Sequence, residues 1–141
     1  MLVIAAAAVA ILVYALPDGK SHPIAWTEVS VGPLTITDSQ RRLFRSRADL
    51  ARYLVRADSK RAVPKIDFAS RQLLLVSPGP RSSTGYSIEI LSVTERRDDI
   101  TVKVRERTPT LAEHVKPTVT FPYRLLSLPA GKDVFVDWVG R

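Results

Sequence analysis

The chain contains no cysteine in its 141 residues. That excludes a disulfide framework, a thiolate metal site, a cysteine nucleophile and a lipidated N-terminal cysteine. Its two histidines, His22 and His114, stand alone and far apart, so no zinc-ligand spacing exists. A serine triad lacks an oriented base: His114 follows Glu113, Ser82 and Ser83 lie in another loop, and no spacing joins them. Glycine is sparse where a phosphate loop would need it, since Gly79-Pro80-Arg81 is followed by no Gly-Lys-Ser/Thr. No strand carries the paired aromatics of an RNA-binding sheet. The adjacent acids Asp98-Asp99 are the residues a hairpin turn uses for its backbone. These absences predict a chain that is not an enzyme and that holds neither cofactor nor metal.

What is present begins with an apolar run, Leu2 to Leu16, closed by Pro17-Asp18-Gly19-Lys20. Fifteen helical residues would span about 22 Å, short against a bilayer core of about 30 Å. No Lys or Arg precedes the run, and Ala15-Leu16-Pro17 is a poor cleavage site, so an uncleaved anchor fits better than a signal peptide. The expected organisation is a signal or anchor segment over 1–20, meeting the membrane through 2–16, and a single mainly-β domain over 21–141. The expected location is exported, either anchored by a single pass or secreted or periplasmic.

The formal charge of +7 is concentrated. Nine basic residues fall between Arg41 and Lys65 against only Asp49 and Asp58, so the whole excess lies in that window. The bland reading is a solvated arginine-rich face. The alternative is a patch formed by Arg41, Arg42, Arg45, Arg52 and Arg56 that meets an anionic surface, lipid or nucleic acid, with nucleic acid the less expected of the two.

Ser46 is a suitable N-cap, and Leu50, Tyr53, Leu54 and Ala57 recur at helical spacing, which predicts one amphipathic helix ended before Pro64. The basic block then reads as that helix with its flanks. Ile24 to Val31 reads as a bulged or two-sided strand, and Leu34-Thr35-Ile36-Thr37 as a short half-buried one. Gln72 to Val76 is continuously apolar after its first residue, the signature of a central strand covered on both faces. Tyr86, Ile88 and Ile90 share a face, and Leu91 and Val93 shift phase, predicting a bulge. Ile100, Val102 and Val104 alternate cleanly after a charged turn over Glu95–Asp99. Two short strands are expected around Pro122, and Val134 to Trp138 closes the domain. The predicted fold class is α+β: mainly antiparallel β-sheet with one packed amphipathic helix, preceded by the N-terminal apolar membrane helix. The predicted core is Leu50, Leu54, Phe68, Leu74, Val76, Ile88, Ile90, Val102, Val104 and Phe121.

Three segments in order carry a resemblance. Ile66-Asp67-Phe68-Ala69-Ser70 precedes the apolar strand; Gly79 and Arg81 lead to Thr84-Gly85-Tyr86-Ser87-Ile88; Ile100 to Glu106 is followed by Pro109 and closes at Phe121-Pro122-Tyr123-Arg124. From Ile66 to about Pro129 the chain resembles the C-terminal domain family of the protease complex subunit PrcB. The resemblance implies a non-catalytic exported accessory domain, associated in its namesake with assembly or stability of a surface protease. The expected partner is another exported protein, a protease being one candidate, and the loop residues read as its contact are Arg81, Thr84, Gly85 and Tyr86. Thr84-Gly85-Tyr86 is also similar to the Asn-Pro-Thr-Thr-Gly-Tyr loop of chagasin-type cysteine-protease inhibitors, though the asparagine and proline are absent here. A peptidase inhibitor is therefore the alternative reading of that loop.

Overall fold

The computed structural model describes residues 19–140. The apolar run 2–16 lies outside them, and among the described residues no helix is long and apolar enough to cross a membrane.

The strands are β1 (His22–Pro23), β2 (Thr27–Glu28), β3 (Gln40–Phe44), β4 (Arg71–Ser77), β5 (Ser87–Arg96), β6 (Asp99–Arg107), β7 (Arg124–Pro129) and β8 (Asp133–Val139), with helix α1 over Arg47–Arg56. They form two four-stranded sheets: an outer one in the order β1-β5-β6-β8 and a central one in the order β2-β7-β4-β3. All pairings are antiparallel except β6 with β8. The predicted mainly antiparallel architecture with one packed helix therefore holds, divided between two sheets and with one parallel pair. That pair arises because the chain leaves β6, descends through β7 in the central sheet and turns back at Ala130–Lys132 into β8.

β4 explains the layering. Leu73 and Leu75 are fully buried against Phe44, Leu50, Leu54 and Leu125 on the helix side. Leu74 and Val76, on the opposite face, join Ile88, Val102, Val104, Leu126 and Trp138 between the sheets. A continuous apolar run was the right signal, because both faces of this strand are covered. Each such leucine contributes roughly 1.5–3 kcal/mol of transfer free energy. Asp67 ties off the turn before the strand: its side chain accepts from Ala69 N–H (3.1 Å) and from the Ser70 hydroxyl (3.0 Å).

Helix α1 begins as the sequence indicated, with the Ser46 hydroxyl accepting from Asp49 N–H at 3.2 Å. Leu50, Tyr53 and Leu54 form its buried stripe. The β5 bulge lies between Ile90 and Ser92. Of the predicted core, Phe68, Ile90 and Phe121 are only partly buried at its margins.

Four expectations need correction. Ile24 to Val31 is not one strand: the segment leaves the outer sheet after β1 and enters the central sheet at β2, crossing between layers. Leu34 to Thr37 pairs with no strand; Leu34 and Ile36 are buried while Thr35 N–H donates to the Ala57 carbonyl at the helix end (2.8 Å). The missing strand is β3, inside the basic block and at the edge of the central sheet. The stretch before β7 forms only an isolated bridge, Arg81 with Thr120.

Candidate functional site

Gly85 has φ +96°, a conformation that side-chain-bearing residues rarely adopt. A Cβ there would lie 2.8 Å from Pro109 Cβ and 3.0 Å from Val115 Cγ1. The glycine is needed because the long crossing after β6 packs directly on this turn. Thr84 fastens the same contact: its N–H donates to the Lys116 carbonyl (3.1 Å), and its hydroxyl accepts from Lys116 N–H (2.9 Å). Arg107 donates to the Gly85 carbonyl and pairs with Glu113, whose carboxyl is held below its usual range by that hydrogen bond.

Arg81 is the main brace. Nε and one terminal nitrogen meet the two Glu106 oxygens at 2.8–3.0 Å, and the other terminal nitrogen donates to the Pro78 and Pro80 carbonyls. Four of the five donors of the guanidinium are engaged in these bonds. Both side chains are largely covered, at 22% and 15% exposed. The backbone of Arg81 exchanges two further hydrogen bonds with Thr120, at 2.8 and 2.9 Å. Residues 79–86 and 108–123 therefore behave as one assembly. Of the four loop residues singled out in the sequence, Arg81, Thr84 and Gly85 are committed to holding it together.

Tyr86 is the exception. Its ring has the Arg81 guanidinium 5.8 Å from its centre, and it lines a shallow groove of about 530 Å³. The other walls are Ser87, Ile88 and Glu89 at the start of β5, and Pro122, Tyr123 and Arg124 at the start of β7, with Glu28 opposite. Arg124 fixes the floor: it pairs with Glu28 (2.6 and 2.8 Å) and donates to the Ile88 carbonyl (2.9 Å), tying the two sheets together. The Tyr123 hydroxyl donates to the Gly32 carbonyl, and burial pushes its pKa up, so it remains a neutral phenol. Close by, the crossing leaves Leu111 wholly exposed and Val115 and Val119 substantially so. The groove is amphipathic, with aromatic sides and internally neutralised charges.

Two of the segments that carry the family resemblance, Thr84 to Ile88 and Phe121 to Arg124, thus meet across one groove although some thirty-five residues separate them. Glu28 had no sequence signal: it lies 96 positions from Arg124 in a segment read only as a strand. Glu106 had a faint one, as the acid ending the alternating strand.

The five arginines of the proposed basic patch have different neighbours, with Arg52 and Arg56 side by side on the outer face of α1. Arg41 is turned to β8, 6.0 Å from the Trp138 ring centre and 3.5 Å from the Val136 carbonyl. Arg45 donates to Gln72 Oε1 at 3.4 Å. Arg52 pairs with Asp49. Arg42 and Arg56 line a common pocket beside Tyr53. Among the described residues no group of His, Asp and Glu is arranged to hold a metal ion.

Residues 73–129 match the family model described as PrcB C-terminal, which bears out the resemblance over all of its span except Ile66 to Gln72. No curated protein and no solved structure matches the chain.

Proposed function

We propose that this protein is a non-catalytic accessory module that binds another exported protein, a protease or a component of its complex, through the groove between Tyr86 and Tyr123. The observation that carries the reading is the convergence of two separate family-matching segments on the walls of one groove. A position whose only task was folding would be absorbed by packing, as Arg81, Thr84 and Gly85 are. Tyr86 and Ser87 instead present partly open aromatic and polar groups on a rigid frame, facing a Tyr123 ring whose position is set by packing on the helix-side core, the composition of an interface anchor. Val115, which packs at Gly85, adds an exposed apolar side chain on the same assembly.

The apolar run 2–16 supports an anchored or exported placement for the module. An inhibitor acting through Thr84-Gly85-Tyr86 has less support, because the threonine hydroxyl and the glycine face inward onto the crossing.

The test is co-purification of the tagged full chain from its native envelope after mild crosslinking. Tyr86→Ala combined with Tyr123→Ala should reduce recovery of the partner roughly tenfold, the effect of losing about 1.4 kcal/mol at an aromatic anchor. Undiminished recovery with the double variant, in a chain that remains folded, would reject the groove as the contact.

A further inference from the structure

Away from the groove, between β3 and the C-terminal half of α1, lies a pocket of about 180 Å³ lined by Thr35, Thr37, Gln40, Arg42, Tyr53 and Arg56. Two arginines line it, and among the described residues neither forms a salt bridge. Arg42 is held by aromatic rings rather than by an acid, 5.4 Å from the centre of Phe44 and 5.1 Å from that of Tyr53. Among the described residues neither Arg42 nor Arg56 has a carboxylate partner or a side-chain hydrogen-bond acceptor, and the Thr35 and Thr37 hydroxyls are likewise unpartnered.

The surrounding polar groups are already matched with one another. The Tyr53 hydroxyl donates to Gln40 Oε1 (2.6 Å), and Gln40 Nε2 donates to Asp38 Oδ1 (2.6 Å), so the carboxylate at the rim is engaged by an amide and not by an arginine. The carbonyls closing α1 are also occupied: Tyr53, Leu54, Val55 and Ala57 accept from Ala57, Ser59, Asp58 and Thr35 respectively. They do not compete for Arg56. What remains is a concave site with one arginine seated on aromatic rings, a second, exposed arginine on the helix, and two hydroxyl donors. Such a site is complementary to a compact group with several acceptor oxygens.

We propose that this pocket binds a phosphate-type oxyanion, with Arg42 and Arg56 donating charge-assisted hydrogen bonds and Thr35 and Thr37 adding hydroxyl donors. The same chemistry is offered by free inorganic phosphate and by the phosphomonoester headgroup of phosphatidic acid.

The purified full chain in detergent is titrated with inorganic phosphate by equilibrium dialysis. In parallel, flotation is measured on phosphatidylcholine vesicles with and without phosphatidic acid. Saturable single-site binding of phosphate should fall roughly tenfold in the Arg42→Gln, Arg56→Gln double variant and a few-fold in Thr37→Val. Arg52→Gln, one turn away and paired with Asp49, should leave it unchanged. The same variant pattern seen only with phosphatidic acid vesicles assigns the headgroup as the ligand. Binding of neither probe would overturn the proposal. So would binding that Arg52→Gln weakens as much as the pair does, since that is only diffuse attraction to a basic surface. Unchanged unfolding midpoints identify a loss as one of binding rather than of fold.

Discussion

In the assembly around Gly85, Arg81, Arg107 and Arg124 face Glu106, Glu113 and Glu28. Across the molecule Arg42 and Arg56 share a pocket, and among the described residues neither forms a salt bridge. The two regions are similar in arginine count and opposite in use. Where each guanidinium has a carboxylate, the charge is consumed in fixing backbone, and the surface left for a partner is aromatic. Where it has none, the N–H donors stay available to something outside the chain. Net charge along the sequence points to the second region and says nothing of the first. What separates them is which elements the fold brings opposite each arginine.

The comparison can be broken most forcefully at Gly85. Gly85→Val combines an unfavourable φ with overlap onto Pro109 and should destabilise by roughly 3 kcal/mol in urea denaturation. A change under about 0.5 kcal/mol would mean that the crossing does not pack on the turn as described. Next is Arg81→Ala, which removes the two-pronged partner of a largely covered Glu106 carboxylate and should cost about 2–3 kcal/mol, with Glu106→Gln recovering part of the loss in the double variant. Independent, additive effects would deny that the pair is a unit.

The tyrosines sharpen the contrast by titration. Burial raises the pKa of both Tyr53 and Tyr123 above the ordinary 10.0, while the nearby Arg42 charge pulls Tyr53 back down. A phenol whose folded pKa lies above its unfolded value contributes stability that is complete below about pH 10 and is lost as the pH rises through the folded pKa. Stability should accordingly fall on the alkaline side of pH 10. Arg42→Gln should move the Tyr53 phenolate transition, followed by ultraviolet absorbance, to higher pH and leave Tyr123 in place. A downward shift would show that Arg42 does not sit over that ring. The smallest effect is Arg56→Gln, exposed and unpaired, which should alter stability by about 0.5 kcal/mol or less.

The strands covered on both faces were readable because burial on two sides leaves no polar alternation to confuse the period, as in Leu73 to Val76. The helix was readable because its cap and stripe are local. β3 was not. An edge strand written Gln-Arg-Arg-Leu-Phe shows little apolar signal, since Arg42 covers Phe44 and Tyr53 with the flat face of a cation. Leu34 to Thr37 misled in the other direction: apolar-polar alternation reports that one side is buried, and here the covering element is a helix end and not a neighbouring strand. The loop around Gly85 was visible as a motif, but the division of labour within it was not. Whether Arg81 meets a partner or Glu106 depends on a contact across 25 positions, and Arg124 finds Glu28 across 96.

The central claim is that the aromatic groove, and not the arginine-rich helix, meets the partner protein. Incorporating a photo-crosslinking residue at Ser87 on the groove wall and, separately, at Val55 on the outer face of α1 tests it in the native envelope. A discrete protein adduct from position 87 and none from position 55 is the expected result; an adduct from position 55 with none from position 87 would contradict it.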